Sequence, residues 1–563
     1  MTKRPNIIWI MAEDMGLDLE CYGMPGVKTP HLNQMAQEGR LYGNCYCTNP
    51  ICSPSRSAMM VGAHQNSISA HNHRSNRDRP LDAPYRPSTA LLREAGYTCV
   101  LGHPDVQFRG RKTDCNFRHE KVGEYDGVEN FGLFDKFDEA VPADAPFFQQ
   151  IQLNVTHRGD WWESVRAQSP KPVDPAAVRI PSYLPDTEVS RLDFAAYLDT
   201  VEYMDREVGM LFDDLRDKGL AENTVVFFIA DNGRCQVRAK GYLYEPGLHI
   251  PCIAWAPGLV EGASFAHELV STLDITATIL TLAGAEVPEY IEGRPLFGAA
   301  GPGGGAATGE WRPVVGASVG REAPSEATSK VPAAPPPSRG AADPIYGGTD
   351  PATFAPGGDH TRERSGTAIG REGAADAFPG RRYIYGARDY FDEVDDCMRS
   401  VCDGRYNFIK NYRPEVPYDA HLAYYDFYRP IIHEMRRLHG EGRLEASADG
   451  FLAETKPELE LYDWLTDPDE VHNLANDPAY AGALARMKSL LEEYQKTHRD
   501  SGLEDFGKRP AAKPASVDVR DWLRDEHPKE WERVTHEVFV KFTALRERYA
   551  AETGRGLPGQ KGV

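Results

Sequence analysis

An α/β fold, with a large mixed, mostly parallel sheet flanked by helices and a smaller C-terminal antiparallel-sheet subdomain, is predicted by three observations. Unbroken apolar runs at 6–12, 146–155 and 224–230 have the composition of strands buried on both faces. Between the last two, Phe194, Tyr197, Leu198, Val201, Met204, Val208, Leu211 and Leu215 recur at steps of three and four, a long amphipathic helix closed by Gly219. Beyond residue 380, alternating strands and a terminal helix read as a small antiparallel sheet packed beside the main domain.

With 563 residues, 41% hydrophobic and 26% charged, the chain is long enough for more than one domain and a large core. No apolar run approaches the ~20 residues of a membrane span. The run Ile7–Met11 is too short for the apolar part of a signal peptide. The chain as written is therefore expected in the cytoplasm, or in the periplasm or outside the cell if a leader has been removed. A formal charge of −21 excludes nucleic acid as a partner, because no basic face offsets phosphate repulsion. An anionic substrate would need a local pocket of cations. The ten cysteines include no CxxC pair, and scattered thiols fit a reducing compartment better than a disulfide framework.

Taken in order, the first strand ends in Glu13-Asp14-Met15-Gly16, so two carboxylates emerge at the strand edge where open α/β sheets bind ligands. Adjacent strand side chains point to opposite faces, so both reach one point only if the chain turns; Gly16 offers that freedom. A helix follows, with Thr29 at its N-cap, Pro30 first, and Leu32, Met35 and Ala36 on one face. Then Asn49-Pro50-Ile51-Cys52-Ser53-Pro54-Ser55-Arg56 leads a polar turn into a short apolar helix that stops at Gly62. Pro54 is tolerated in a first turn, which sets Cys52 at a helix N-terminus, where the dipole favours an anion. From the residues alone Cys52 is a small buried hydrophobe or a thiolate nucleophile of lowered pKa.

His64, His71 and His73 fall within ten residues, but no acid or thiol frames them as zinc ligands; lining of a substrate pocket is the better reading. A short helix at 88–95 and a strand at 97–101 lead to His103, and the next loop carries Gly110-Arg111-Lys112-Thr113-Asp114. The strand at 146–155 ends at His157, and the strand at 224–230 ends in Asp231-Asn232-Gly233, a second pair of hard oxygen donors at a strand's C-terminal edge. Lys240 follows, then a strand at 250–256 and a helix at 274–283. Gly-, Pro- and Ala-rich sequence from 297 to 380 buries too little to offset its ordering entropy and reads as a disordered insertion. The chain thus divides into an N-terminal domain bearing the motifs (1–296), the insertion (297–380), a C-terminal subdomain (381–500) and a charged extension (501–563) expected at the periphery.

Cys52-Ser53-Pro54-Ser55-Arg56 matches the Cys-x-Pro-Ser-Arg signature of sulfatases. With the two acidic strand ends and with Leu461-Tyr462-Asp463, Asp467-Pro468 and Asn473-Leu474, the chain resembles the type I sulfatases of the alkaline phosphatase superfamily over 5–297 and 381–500. Ala70-His71-Asn72-His73-Arg74, Lys112-Thr113-Asp114 and Ala387-Arg388-Asp389 are similar to the bacterial heparan N-sulfatase-like, or sulfamidase-like, members. The resemblance implies an alkaline phosphatase-like fold and hydrolysis of a sulfate ester or sulfamate on a sulfated small molecule or glycan. It implies that a maturation enzyme oxidises Cys52 to formylglycine (3-oxoalanine), and that Glu13, Asp14, Asp231 and Asn232 bind one Ca2+. Glu13 stands where the family commonly has Asp, a change that Ca2+ tolerates through its flexible oxygen geometry.

Arg56, Lys112, His157 and Lys240 are implied as catalytic neighbours of Cys52: fixed cations meet charge that builds in the transition state, and His157 or Lys240 protonates the leaving atom. His71, His73, Asp114, Arg388 and Asp389 are implied as substrate contacts, and Lys112 competes with His103 for one sulfate-contacting place. A hydrated aldehyde suits this chemistry because one hydroxyl attacks sulfur and the other then expels sulfate by C–O cleavage. The alternatives are a phosphonate monoester or phosphodiester hydrolase with the same aldehyde, and a catalytically silent protein that binds sulfated glycans.

Overall fold

The computed structural model describes residues 4–118, 133–143, 146–298, 309–310, 381–506, 508 and 519–555. Its main sheet comprises β1 (Asn6–Ala12), β2 (Arg40–Tyr46), β3 (Thr98–Leu101), β4 (Lys136–Phe137), β5 (Phe147–Leu153), β6 (Thr224–Ala230), β7 (His249–Trp255), β8 (Ser264–Ser271) and β9 (Gly309–Glu310). They lie in the order β4-β3-β5-β1-β6-β7-β2-β8-β9. Central β1 runs parallel to β5 on one side and to β6 on the other, whereas β7 is antiparallel to both its neighbours and makes the sheet mixed. Every residue of β1, β5 and β6 is buried, which accounts for their unbroken apolar sequences. Ala12 pairs with both Leu153 and Ala230. The three strands therefore end level, and the residues that follow them meet at one place.

Helices α1 (Pro30–Glu38), α2 (Cys52–Val61), α3 (Ser88–Glu94), α4 (Trp161–Gln168) and α5 (Glu188–Asp217) belong to this domain. Thr29 holds the N-cap position of α1, but its hydroxyl accepts the Glu20 N–H instead of capping. The cap comes from α5: Asp205 accepts the N–H groups of His31 and Leu32 at 3.1 and 2.8 Å. Helix α5 buries the predicted stripe from Phe194 to Leu215 and is followed by Gly219 at φ 65°.

A second sheet holds β10 (Ile384–Arg388), β11 (Met398–Cys402), β12 (Tyr406–Asn411) and β13 (Leu459–Asp463), antiparallel throughout and in that order. The helix Ala481–Thr497 covers it by packing Met487, Leu491 and Tyr494 against Tyr385, Val401, Phe408 and Leu461. The sheets are joined directly: Ala387 N–H donates to the Thr48 carbonyl at 3.1 Å, and Asn49 Nδ2 donates to the Ala387 carbonyl at 2.6 Å.

The extension differs from its expected peripheral place. Val519, Trp522, Leu523, Val534, Phe542 and Tyr549 form an apolar cluster with Phe427 and Tyr428; their wide spacing among charged residues hides this face in the sequence. Apart from Phe297, Gly298 and β9, the insertion expected over 297–380 lies outside the described residues. Among the described residues no helix is long and apolar enough to cross a membrane. All ten cysteines are free thiols.

Candidate active site

The sequence places Glu13 and Asp14 after β1, Asp231 and Asn232 after β6, and Cys52 at the start of α2, and the fold brings them together. One ligand atom from each of Glu13, Asp14, Cys52 and Asp231 lies within 4.8 Å of the others. Cys52 Sγ is 3.2 Å from Glu13 Oε1 and 3.6 Å from Asp14 Oδ1. The turn that aims both carboxylates comes from Asp14 itself, at φ 47°, and not from Gly16. Left-handed backbone is uncommon outside glycine, but Asp adopts it more readily than most residues. Here the Asp14 N–H donates to Asp231 Oδ1 at 3.0 Å and its Oδ1 accepts from Asn232 Nδ2 at 2.9 Å.

Three cations close on the carboxylates. Arg56 sets Nε 2.9 Å from Asp231 Oδ2 and Nη2 2.7 Å from Glu13 Oε2, so it braces the acids instead of reaching back to residue 52. Gln152 supports both partners, accepting from Arg56 Nη2 at 2.5 Å and donating to Glu13 Oε2 at 2.8 Å. The Lys112 ammonium pairs with Glu13 Oε1 and lies 3.6 Å from Asp114 Oδ2. Lys240 Nζ is 2.7 Å from the Asp14 carboxylate and 3.1 Å from Cys52 Sγ. His157 Nε2 is 3.7 Å from Asp14 Oδ2 and 3.4 Å from the Tyr424 hydroxyl.

Burial opposes ionisation at every one of these groups. At Glu13 it is overcome by Lys112 and Arg56, and at Asp14 by Lys240 and His157, so both carboxyls titrate below their ordinary range. At Asp231 burial, reinforced by the Glu13 charge, pushes the pKa up to about 6. Burial lowers His157 to about 3, leaving it neutral near pH 7. Burial also raises the Cys52 thiol well above its usual value, with Lys240 opposing and Asp14 adding to the effect. The helix N-terminus does not make Cys52 a thiolate.

The donor set suits a hard metal ion: three buried carboxylates, and Asn232 Oδ1, which is buried with no hydrogen-bond partner. Among the expected substrate contacts, His73 sets Nδ1 2.7 Å from Asp392 Oδ1 and leaves Nε2 buried without a hydrogen bond. Asp114 receives Arg74 Nε and Nη2 at 3.0 and 2.8 Å.

Four expected contacts are directed elsewhere. His103 Nε2 lies 3.3 Å from Asp214 on α5, because its strand end faces that helix. His71 Nδ1 bonds the Ser501 hydroxyl at 2.7 Å. Arg388 pairs with Asp396, and Asp389 lies 3.0 Å from Arg399 Nη2 in a buried cluster with Asp500. These three secure the second sheet and the segment after it. Sequence reasoning missed Gln152, hidden inside an apolar strand, and Tyr424, which arrives from the helix Ala423–Tyr428 far along the chain. Neither carries a motif.

The sequence model of the family described as Sulfatase matches residues 5–285. An ulvan-active sulfatase of Formosa agariphila is 28% identical over 525 residues, an alignment covering 88% of this chain and 75% of that protein. Human N-sulphoglucosamine sulphohydrolase is 29% identical over 315 residues, 51% of this chain and 62% of that enzyme. Among solved structures, a 2-O GAG sulfatase superposes with a TM-score of 0.53 at 17% identity, covering 91% of this chain and 96% of the other, which shows the shared fold. The residues matched by the family model include Cys52, the acids and the lysines, and the chain belongs to the sulfatase family.

Proposed function

We propose that this sulfatase hydrolyses a sulfate ester or sulfamate on a sugar, with formylglycine at position 52 and one Ca2+ held by Glu13, Asp14, Asp231 and Asn232. The observation that carries the reading is the convergence of three buried carboxylates on Cys52 Sγ, with Lys240 3.1 Å from that sulfur. When present, the ion acts as a Lewis acid toward sulfate oxygens and the hydrated aldehyde offers a nucleophile that can shed its sulfate by C–O cleavage.

The chain's own residues do the rest. Asn232 Oδ1 supplies a donor atom that nothing else satisfies, and a divalent charge would ionise Asp231 outright. Arg56 and Gln152 fix the orientation of Glu13. Lys112 and Lys240 bring positive charge to a chain of net charge −21, which at long range repels a sulfated ligand. Of the two groups considered for protonating the leaving atom, Lys240 carries a proton beside residue 52, while His157 is neutral and serves as a hydrogen-bond partner. His73 Nε2, buried without a hydrogen bond, is available to the sugar. The names of the relatives, an ulvan-active sulfatase and a sulphoglucosamine sulphohydrolase, support a saccharide substrate.

The test compares 4-nitrophenyl sulfate with an aryl phosphonate monoester at equal concentration. Faster sulfate release is expected. Preference for the phosphonate would transfer the chain to the rival hydrolase reading, and silence toward both, with an unmodified Cys52, would favour the binding-protein reading.

A further inference from the structure

The loop after β3 reverses through three consecutive left-handed residues, Phe108 (φ 53°), Arg109 (φ 56°) and Gly110 (φ 60°). Two of them are not glycine, a strained arrangement of the sort concentrated at ligand-binding positions. It leaves Phe108 37% exposed, one of three large apolar side chains so placed among the described residues. Phe108 meets Trp161 edge-on with ring centroids 5.6 Å apart, Trp161 lies over His157 at 6.4 Å and 28°, and His157 adjoins Tyr424 at 5.7 Å. The Tyr424 ring is 5.1 Å from Lys240 Nζ. An aromatic row thus runs unbroken from the surface to the ammonium beside Cys52. The indole of Trp161 is fixed in the row: Nε1 donates to the Val155 carbonyl at 3.0 Å, and a Cβ at Gly159 would collide with the ring. All four rings keep some exposure, unlike the fully buried aromatics of the core.

We propose that Phe108, Trp161, His157 and Tyr424 form a stacking strip for the pyranose ring adjoining the sulfated sugar, so that the preferred substrate is an oligosaccharide. The proposal rests on the sulfatase reading above. A pyranose presents a flat C–H face that matches an aromatic face, while its hydroxyl edges stay in water. Such contacts also bind a sugar without recruiting charge, which suits a strongly acidic protein.

The experiment measures kcat/KM of wild type, Phe108→Ala and Trp161→Phe on 4-nitrophenyl sulfate, and on sulfated tetrasaccharides from heparin and from ulvan. For Phe108→Ala the ratio of tetrasaccharide to aryl sulfate kcat/KM is expected to fall about tenfold, mainly through KM. Phe108→Trp should restore it. An unchanged ratio overturns the proposal, whether both substrates lose equally or neither does. Wild type that cleaves the aryl sulfate but neither tetrasaccharide overturns it too. Wild type inactive on every sulfate removes the underlying sulfatase reading instead.

Discussion

The Asp14 N–H donates to the Asp231 carboxylate at 3.0 Å, tying together the ends of two strands whose sequences lie 217 positions apart. The same carboxylate accepts from the Asn232 N–H at 2.9 Å and from Arg56 Nε at 2.9 Å. It therefore locks the turn and supplies charge. Asp231→Asn keeps an oxygen for the two backbone donors but turns an amide N–H toward Arg56, whereas Asp231→Ala removes every acceptor. Both variants should lose at least about 1000-fold in kcat/KM on an aryl sulfate, with the Tm of Asp231→Ala the lower of the two because it strands a buried guanidinium. Substantial turnover by Asp231→Asn would detach this residue from the reaction.

Removal of calcium provides a second check. A ligand held by four folded-state groups stabilises by mass action, about 2.7 kcal/mol at a hundredfold excess over Kd. Chelation should lower both Tm and activity, and added Ca2+ should restore both in wild type but not in Asp231→Asn. An identical wild-type Tm with and without the ion would argue against a bound metal.

Mass spectrometry of the peptide containing Cys52 reports on the aldehyde. Conversion of the thiol side chain lowers its mass by about 18 Da. Active protein should carry the lighter form in proportion to its specific activity, and Cys52→Ala should be inactive. Full activity from a wholly unconverted preparation would exclude formylglycine.

A fourth expectation concerns pH. Glu207 on α5 accepts the Gln107 N–H at 2.6 Å, but its Oε2 is buried without a partner, and burial pushes its pKa up to about 7 from an ordinary 4.5. Between those values the folded state binds more protons than the unfolded one, so this group's contribution falls as pH rises. The shift amounts to about 3 kcal/mol, fully present below the lower value and lost above the upper. Glu207→Gln lacks this titration, so its Tm should gain on wild type from about pH 5 to about pH 8. Parallel Tm profiles would place the charge elsewhere.

Much of this site was legible in the sequence because parallel strands carry their chemistry at their ends. Glu13, Asp14, His157, Asp231 and Asn232 each follow an apolar run, and level strand ends turn that separation into contact. Of the two residues competing for one sulfate-contacting place, Lys112 pairs with Glu13 beside Cys52, whereas His103 faces α5. Legibility failed where tertiary pairing decides a side chain's direction. Arg388 and Asp389 follow a recognisable motif, yet Asp396 and Arg399 hold them in the second sheet. Tyr424 was invisible because its position depends on a helix packed through Phe427 and Tyr428 against residues beyond 518. The apolar stripe there is too interrupted by charge to stand out.

Cys52 is 1% exposed, and the turn before it is hydrogen-bonded to Ala387 of β10. The turn that presents the reacting position is thus pinned to a strand whose pairing residue lies 338 positions later in the chain. Disturbance of β10 would therefore be felt at the turn that presents residue 52.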